Sequence, residues 1–522
     1  MPHNEGAFGA WMNISQATCW SRETAIFGEV SSRHQDYKAM GYLKQTKTLS
    51  PMLAGGEAGK DNARATPFKH IIHSREGESM LRVEPLGEGI PAMVFPPRGG
   101  MPEAEALEQL LRFGRVKSLS GMSALSLAGM SDLHPNHPIP VGAALATPED
   151  FVVPSAIGSD INCGMRMVRL DLPEEVSPEL LERVRAALRG PMIEARRNAP
   201  LSGAHFRALF DEGPEAMASL GLPREGLWLR MGKSAISQAA SKSPALGMMA
   251  GSSARMPESL LQDRLIRDSG LGTLGSGNHF FELQLIDQRL NRSACYELGI
   301  KEDPKALYAL IHTGSRDVGQ WVGSTHARWA REAWMAAKQS APEGIFTLEG
   351  EAAKGYLAAQ WAAARYAWLN RSVLQEMARQ AIEDALGKPV EAFAIADSSH
   401  NVALKEGGRI IHRKGACRAC AGETCLIPGS MGDYSFVAKG LGRKEALESC
   451  SHGAGRSRAR GAAGRATGES KLPFVVETQN GRRVSEEAPW NYMDVERGVE
   501  GQQDEGLIEL AARMRPVATF KA

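Results

Sequence analysis

Hydrophobic and polar positions recur with different periods along the chain, and the changes of period mark its elements. In GYLAAQWAAARYAWLNRSVLQEMARQAIEDAL, Gly355 to Leu386, apolar residues fall three and four apart among strong helix formers, which predicts one long helix. Its Trp, Tyr and Met residues read as core positions. EALEQLLRFGRV, from Glu105, has the same spacing, and SPELLERVRAAL opens a further helix at Ser177 with a capping-box arrangement. In VPSAIGSDINCGMRMVRLDL, Gly, Asp and Asn punctuate apolar and β-branched residues, which predicts strand, tight turn, strand. Residues up to about Ala104 mix polar and Gly-rich stretches such as VFPPRGGMP and read as an extension or loosely structured cap. The segment from Gly190 to Ser259, rich in Ala, Ser, Met and Pro, shows no dominant period. HGAGRSRARGAAGRATGESK, His452 to Lys471, reads by composition as a flexible loop.

Composition narrows the classes. A chain of 522 residues, 43% hydrophobic and 23% charged, can bury a large core in one big domain or two to three smaller ones. The net charge of +1 supplies no global field toward nucleic acid or membrane, so any polyanion site is a local patch. No apolar run approaches the length of a membrane span, and the first residues lack a basic segment followed by an apolar one. The expectation is a cytoplasmic protein, not bound to membrane, whose seven cysteines are reduced thiols.

Candidate chemistry gathers where glycines let the backbone come close to polar side chains. SDINCGMR holds Asp160 and Cys163, a carboxylate and a thiol able to face one ion across a turn, or equally a turn-forming Asp beside a buried Cys. GTLGSGNHFFEL delivers Asn278, His279 and Glu282 from a loop that is either an anion cradle or a plain turn before the strand HFFELQLI. ALIHTGSRDVG ends an apolar run on His312. FAIADSSHNVALKEGGRIIHRKGACRA ends another on His400 and then supplies His412, Arg413 and Lys414, while LIPGSMGDYSFVAKG offers Ser430 and Ser435 around a Pro-Gly turn. One Asp, one Cys and three His at strand ends form a mixed O, S and N set suited to a borderline divalent ion such as Mn2+ or Zn2+. CRACAGETC, with Cys417, Cys420 and Cys425, raises a structural metal, but a fourth thiol is not evident.

Taken in order, SDINCGMR, GTLGSGNHFFEL, IHTGSRDVG, SSHNVA, HRKGACRA, IPGSMGDYS, HGAGR and EAPWNYMDV, with the terminal RPVATFKA, resemble the RNA-splicing ligase RtcB family over residues 105 to 522. The resemblance implies an α+β catalytic domain of mixed sheets with surrounding helices and an active site at strand ends and loops. Residues 1 to 104 would then be an N-terminal extension, and 190 to 259 an insertion atypical of the family. It implies two Mn2+ ions held by Asp160, Cys163, His279, His312 and His400, with Cys163 bridging, and makes His452 the nucleophile that carries GMP from GTP. Contacts to GTP would come from Asn278, His279, Phe280, Phe281 and Glu282, from His400 and Asn401, and from Pro428, Gly429, Ser430, Met431 and Ser435. Gly453, Ala454, Gly455, Tyr492 and Lys521 would complete them. Arg316, Arg413, Lys414 and Arg456 are candidates for phosphate contacts on chemical grounds.

The implied reaction joins RNA 3′-phosphate or 2′,3′-cyclic phosphate ends to 5′-hydroxyl ends, with archease as a potential partner. MSDLHPNHPIPVG is a looser echo of a family segment near the joining step, keeping Asp132 and His134. Two other outcomes stay open on this reading. One is a guanylyltransferase that caps 3′-phosphates without efficient ligation, the other an inactive RNA-binding paralogue.

Overall fold

The computed structural model describes residues 62–65, 70–74, 79–458, 475–478 and 486–522. Two large, mainly antiparallel sheets carry an α+β fold. The first runs Asn62–Ala65, His70–Ser74, Leu81–Pro85, Ala92–Val94, Ser126–His134, Val141–Pro148, Arg409–Lys414, Asn401–Glu406. In the second, the order is Glu391–Ser399, Gly164–Asp171, Ala306–Thr313, Phe280–Arg289, Ile508–Lys521, Ser435–Gly440, Thr424–Pro428. Glu391–Ser399 is an edge strand of the second sheet and Asn401–Glu406 an edge strand of the first, so His400 sits where the chain crosses between them.

The second sheet is covered on both faces, which explains its nearly continuous apolar strands. Val168, Leu170, Leu307, Ala309, Phe281 and Leu283 pack with the helix Gly350–Leu386, whereas Met165, Met167, Tyr308 and Leu310 pack against the helix Arg292–Leu298. The 37-residue helix is the long one expected from its periodicity, begun five residues earlier and ended by Gly387 in the left-handed conformation. Ala104–Phe113 and Pro178–Ile193 are also helical. Ser177 caps the latter by accepting from the Leu180 N–H at 3.1 Å.

Three local expectations change. Between Val153 and Gly158 the chain makes a helical turn, Pro154–Ile157, because Pro154 at its first position favours helix entry over a strand. Residues 70–94 are not a loose cap but three strands of the first sheet, too short and Gly-interrupted to show a period. The unpatterned segment 190–259 forms the helices Gly203–Asp211, Pro214–Ser219 and Lys233–Ser241, whose Phe206, Phe210, Met217 and Ile236 pack into the core of the long helix. Of the Gly/Ala/Arg patch, His452 to Arg458 is described and the remainder lies outside the described residues, as does most of the N-terminal extension.

Candidate active site

Strand register assembles the site. Gly164 pairs with both Thr313 and Ser399, and His312 pairs with both Met165 and Phe280. His312 and the residues flanking these pairs, Cys163, His279 and His400, therefore emerge at one end of the second sheet. Asp160 reaches the same point from the turn before Cys163, beneath Gly314, where any Cβ would lie 2.0 Å from its Oδ1.

Cys163 Sγ is central, 3.3 Å from His279 Nε2 and 3.2 Å from His312 Nε2. Asp160 Oδ2 lies 2.8 Å from His279 Nε2, and the Nε2 atoms of His312 and His400 face each other at 3.3 Å. His279 Nδ1 donates to the Leu274 carbonyl at 2.9 Å, which in a neutral ring leaves the Nε2 lone pair pointing into the cluster. Burial holds His312 and His400 well below the usual imidazole range, so both rings are neutral. Burial, then the Asp160 carboxylate, pushes the Cys163 thiol up. Asp160 itself is also raised by burial, but His279 and a hydrogen bond from Cys163 outweigh this and keep it ionised.

These donors form two overlapping groups, Asp160 with Cys163 and His279, and Cys163 with His312 and His400, each with its ligand atoms within 4.8 Å of one another. Converging lone pairs with a raised thiol pKa are unfavourable alone and are relieved by a cation, which would also ionise the thiol. Each group fits a divalent cation.

His452 follows the short strand Ser449–Ser451, which pairs with Ala416–Arg418. Its Nδ1 lies 2.6 Å from Asp132 Oδ2, and its backbone N–H donates to the same oxygen at 3.0 Å. Burial lowers the ring's pKa, but Asp132 overrides it and raises the value. With Nδ1–H held by the carboxylate, a neutral ring carries its lone pair on Nε2. The ring is 4.8 Å from that of His400 between centroids, next to the ligand cluster. Asp132 belongs to the site although the sequence marked it only as part of a looser echo; its survival within that echo was the available signal.

One cavity of about 830 Å3 contains the ligand cluster and His452. Asn278 and Phe280 line it from the Gly-rich loop and strand, and Asn401 and Lys414 from the first sheet. Pro428, Gly429, Ser430 and Met431 line it too, as do Gly453, Ala454, Tyr492 and Lys521, and the Ala454 N–H donates to the Pro428 carbonyl at 2.9 Å. Arg456 also lines the cavity, donating to Glu487 at 3.1 Å and stacking over Tyr492. Glu282 and Ser435 lie behind the cavity lining. Glu282 accepts from Thr519 Oγ1 at 2.5 Å and from Gln284 Nε2 at 2.8 Å, and Gln284 also donates to Ser435 at 2.8 Å. Burial pushes the Glu282 carboxyl up to about 7.

Other expected residues are placed elsewhere. Phe281 turns to the opposite strand face and packs edge-on to Phe520 in the core. Gly455 is not among the cavity-lining residues; its carbonyl accepts from the Met493 N–H at 2.7 Å. Arg413 is buried in a bidentate pair with Glu406 and donates to Ser449, and Arg316 donates to Thr273 at 3.1 Å. Neither arginine lines the cavity. The cysteines of CRACAGETC diverge: Cys417 and Cys425 both meet Cys450, while Cys420 faces Glu406 and Glu448, which are already paired with Arg413 and Lys444. Among the described residues no helix is long and apolar enough to cross a membrane.

Comparison with known proteins agrees with this geometry. A family model described as tRNA-splicing ligase RtcB matches residues 114–522. The chain is 31% identical over 460 residues to the RNA-splicing ligase RtcB of Mycobacterium tuberculosis, an alignment covering 78% of this chain and 99% of that one. It is 30% identical over 469 residues to the tRNA-splicing ligase RtcB of Pyrobaculum aerophilum, covering 80% and 90%. To that of Thermococcus kodakarensis it is 29% identical over 465 residues, covering 81% and 92%.

Proposed function

The chain belongs to the tRNA-splicing ligase RtcB family, and from that premise we propose that it is a GTP- and Mn2+-dependent RNA ligase. It joins 3′-phosphate or 2′,3′-cyclic phosphate ends to 5′-hydroxyl ends through a GMP carried on His452. One observation carries the reading: a histidine with its Nδ1 held 2.6 Å from a carboxylate stands beside a two-ion ligand set in one cavity.

His452 Nε2 attacks the α-phosphorus of GTP, a P–N bond forms and the bond to pyrophosphate breaks. Asp132 holds the ring and stabilises the positive charge that develops on it. Water opens a cyclic phosphate end to a 3′-phosphate, whose oxygen attacks the carried GMP and releases His452. The 5′-hydroxyl then attacks the activated 3′-phosphorus, forming the phosphodiester and expelling GMP. Asp160, Cys163, His279, His312 and His400 would hold two Mn2+, which when bound neutralise phosphate charge and stabilise the leaving oxygens. Lys414 and Arg456 bind phosphates at the cavity wall. Asn278, Phe280 and the Pro428 to Met431 turn hold the nucleotide, with Lys521 at the guanine. The setting is the cytoplasm, with archease as a partner for turnover.

The test is joining of an RNA bearing a 3′-phosphate to one bearing a 5′-hydroxyl, with GTP and Mn2+, read as longer product on a denaturing gel. Wild-type protein joins them and the His452→Ala variant does not. The departures around His134 favour a second reading, capping without joining, and accumulation of 3′-guanylylated RNA with no longer product would establish that instead.

A further inference from the structure

The helix Gly350–Leu386 was expected to be core, yet at its centre Asn370 and Arg371 are polar and fully buried. Burial of such groups is costly unless every polar atom is satisfied. Here the partners are the backbones of the loops that bear metal ligands.

Arg371 Nη1 donates at 2.9 Å to the Asn162 carbonyl and at 2.9 Å to the Thr313 carbonyl, the residues adjoining Cys163 and His312. Its other nitrogens bind Asp397 at 2.9 and 2.6 Å, and Asp397 also pairs with the buried Arg166. Asn370 Oδ1 accepts from the N–H groups of Gly272 and Thr273 at 2.7 and 3.2 Å. Its Nδ2 donates to the Thr273 and Gly314 carbonyls at 3.1 and 3.2 Å. The loop so held presents the Leu274 carbonyl, which accepts from His279 Nδ1 at 2.9 Å and from Thr313 Oγ1 at 2.6 Å. Two consecutive residues thus tie together the supports of Cys163, His279 and His312, which come from three separate stretches of chain.

We propose that Asn370 and Arg371 are positioning residues that fix the spacing of Cys163, His279 and His312 and so set the affinity of the site for its ions. The inference rests on the two-ion reading of the cavity. Neither residue lines that cavity, so they act through the ligands alone. Arg365, on the same helix, is a matched comparison: it too is a buried arginine bonded to backbone carbonyls, those of Phe210 and Met249, but these loops bear no ligand.

The test is titration of the metal-free, full-length protein with Co2+, following the thiolate-to-cobalt absorption of Cys163, alongside thermal melting without metal. Asn370→Asp, nearly isosteric but lacking the donor, and Arg371→Lys are expected to bind Co2+ about 10- to 100-fold more weakly than wild type. Arg365→Lys is expected to lower the melting temperature and leave Co2+ affinity unchanged. Wild-type affinity in both Asn370→Asp and Arg371→Lys, or an equal loss of affinity in Arg365→Lys, would overturn the positioning role while leaving the two-ion reading intact. A wild-type protein that takes up no Co2+ would overturn both.

Discussion

Asp132 offers the sharpest perturbation, because its Oδ2 takes both the Nδ1 and the backbone N–H of His452, at 2.6 and 3.0 Å, in a buried setting. Asp132→Asn keeps the shape and removes the charge. Charge-assisted hydrogen bonds are about twice as strong as neutral ones and contribute roughly 1.5–3 kcal/mol each, so the two together lose about 1.5–3 kcal/mol. If that stabilisation acts on the ring as positive charge develops, guanylylation slows by about 10- to 150-fold, at about 1.4 kcal/mol per tenfold. Asp132→Ala removes both bonds and strands a backbone N–H, so its loss is larger, about 3–6 kcal/mol or 150- to 20,000-fold. The assay is the single-turnover rate of GMP transfer from α-labelled GTP to protein at one pH and saturating Mn2+, with melting curves to confirm folding. A folded Asp132→Asn variant that labels within about threefold of wild type would refute the claim that this carboxylate orients and stabilises the ring, a loss below about 1 kcal/mol.

Further outcomes follow from the same geometry. Because both ligand groups share its sulfur, Cys163→Ala should lose both bound ions by metal analysis, whereas Asp160→Asn should lose one. Glu282 has its folded pKa raised by burial from 4.5 to about 7, so the folded state binds the proton more tightly and stability falls as pH rises between these values. The loss is about 3 kcal/mol at about 1.4 kcal/mol per unit, and melting curves from pH 5 to about 8 should be flatter for Glu282→Gln. Arg413→Met breaks the buried pair with Glu406 and should cost about 3–5 kcal/mol of stability in denaturant titrations. Lys414→Ala, at the cavity wall, should instead raise the KM for 3′-phosphate RNA about tenfold, the loss of one charge-assisted hydrogen bond, with little change in protein labelling.

The ligand cluster was legible because its members sit at turns or at the boundaries of apolar runs, a local pattern that strand register converts into a point in space. The long helix was legible from its period for the same reason. Asp132 and His452 are 320 positions apart, and no spacing rule links them; their contact depends on how the Ser449–Ser451 strand is laid beside the first sheet. The placement of Phe281 was within reach, since a strand starting at Phe280 puts residues 280 and 282 on one face and 281 on the other. Asn370 and Arg371 were hidden by the helical pattern, which sorts residues by face and says nothing about loops packed on that face. The strands between His70 and Val94 were missed because none exceeds five residues and their pairing partners lie partly beyond Ser126.

The central claim is that His452 carries the nucleotide. Incubating the protein with α-labelled GTP and Mn2+, denaturing it and following the label tests this directly. The expected result is acid-labile label on the wild-type chain and none on His452→Ala. Label that persists on the His452→Ala variant, or no label on metal-loaded wild type, would contradict it.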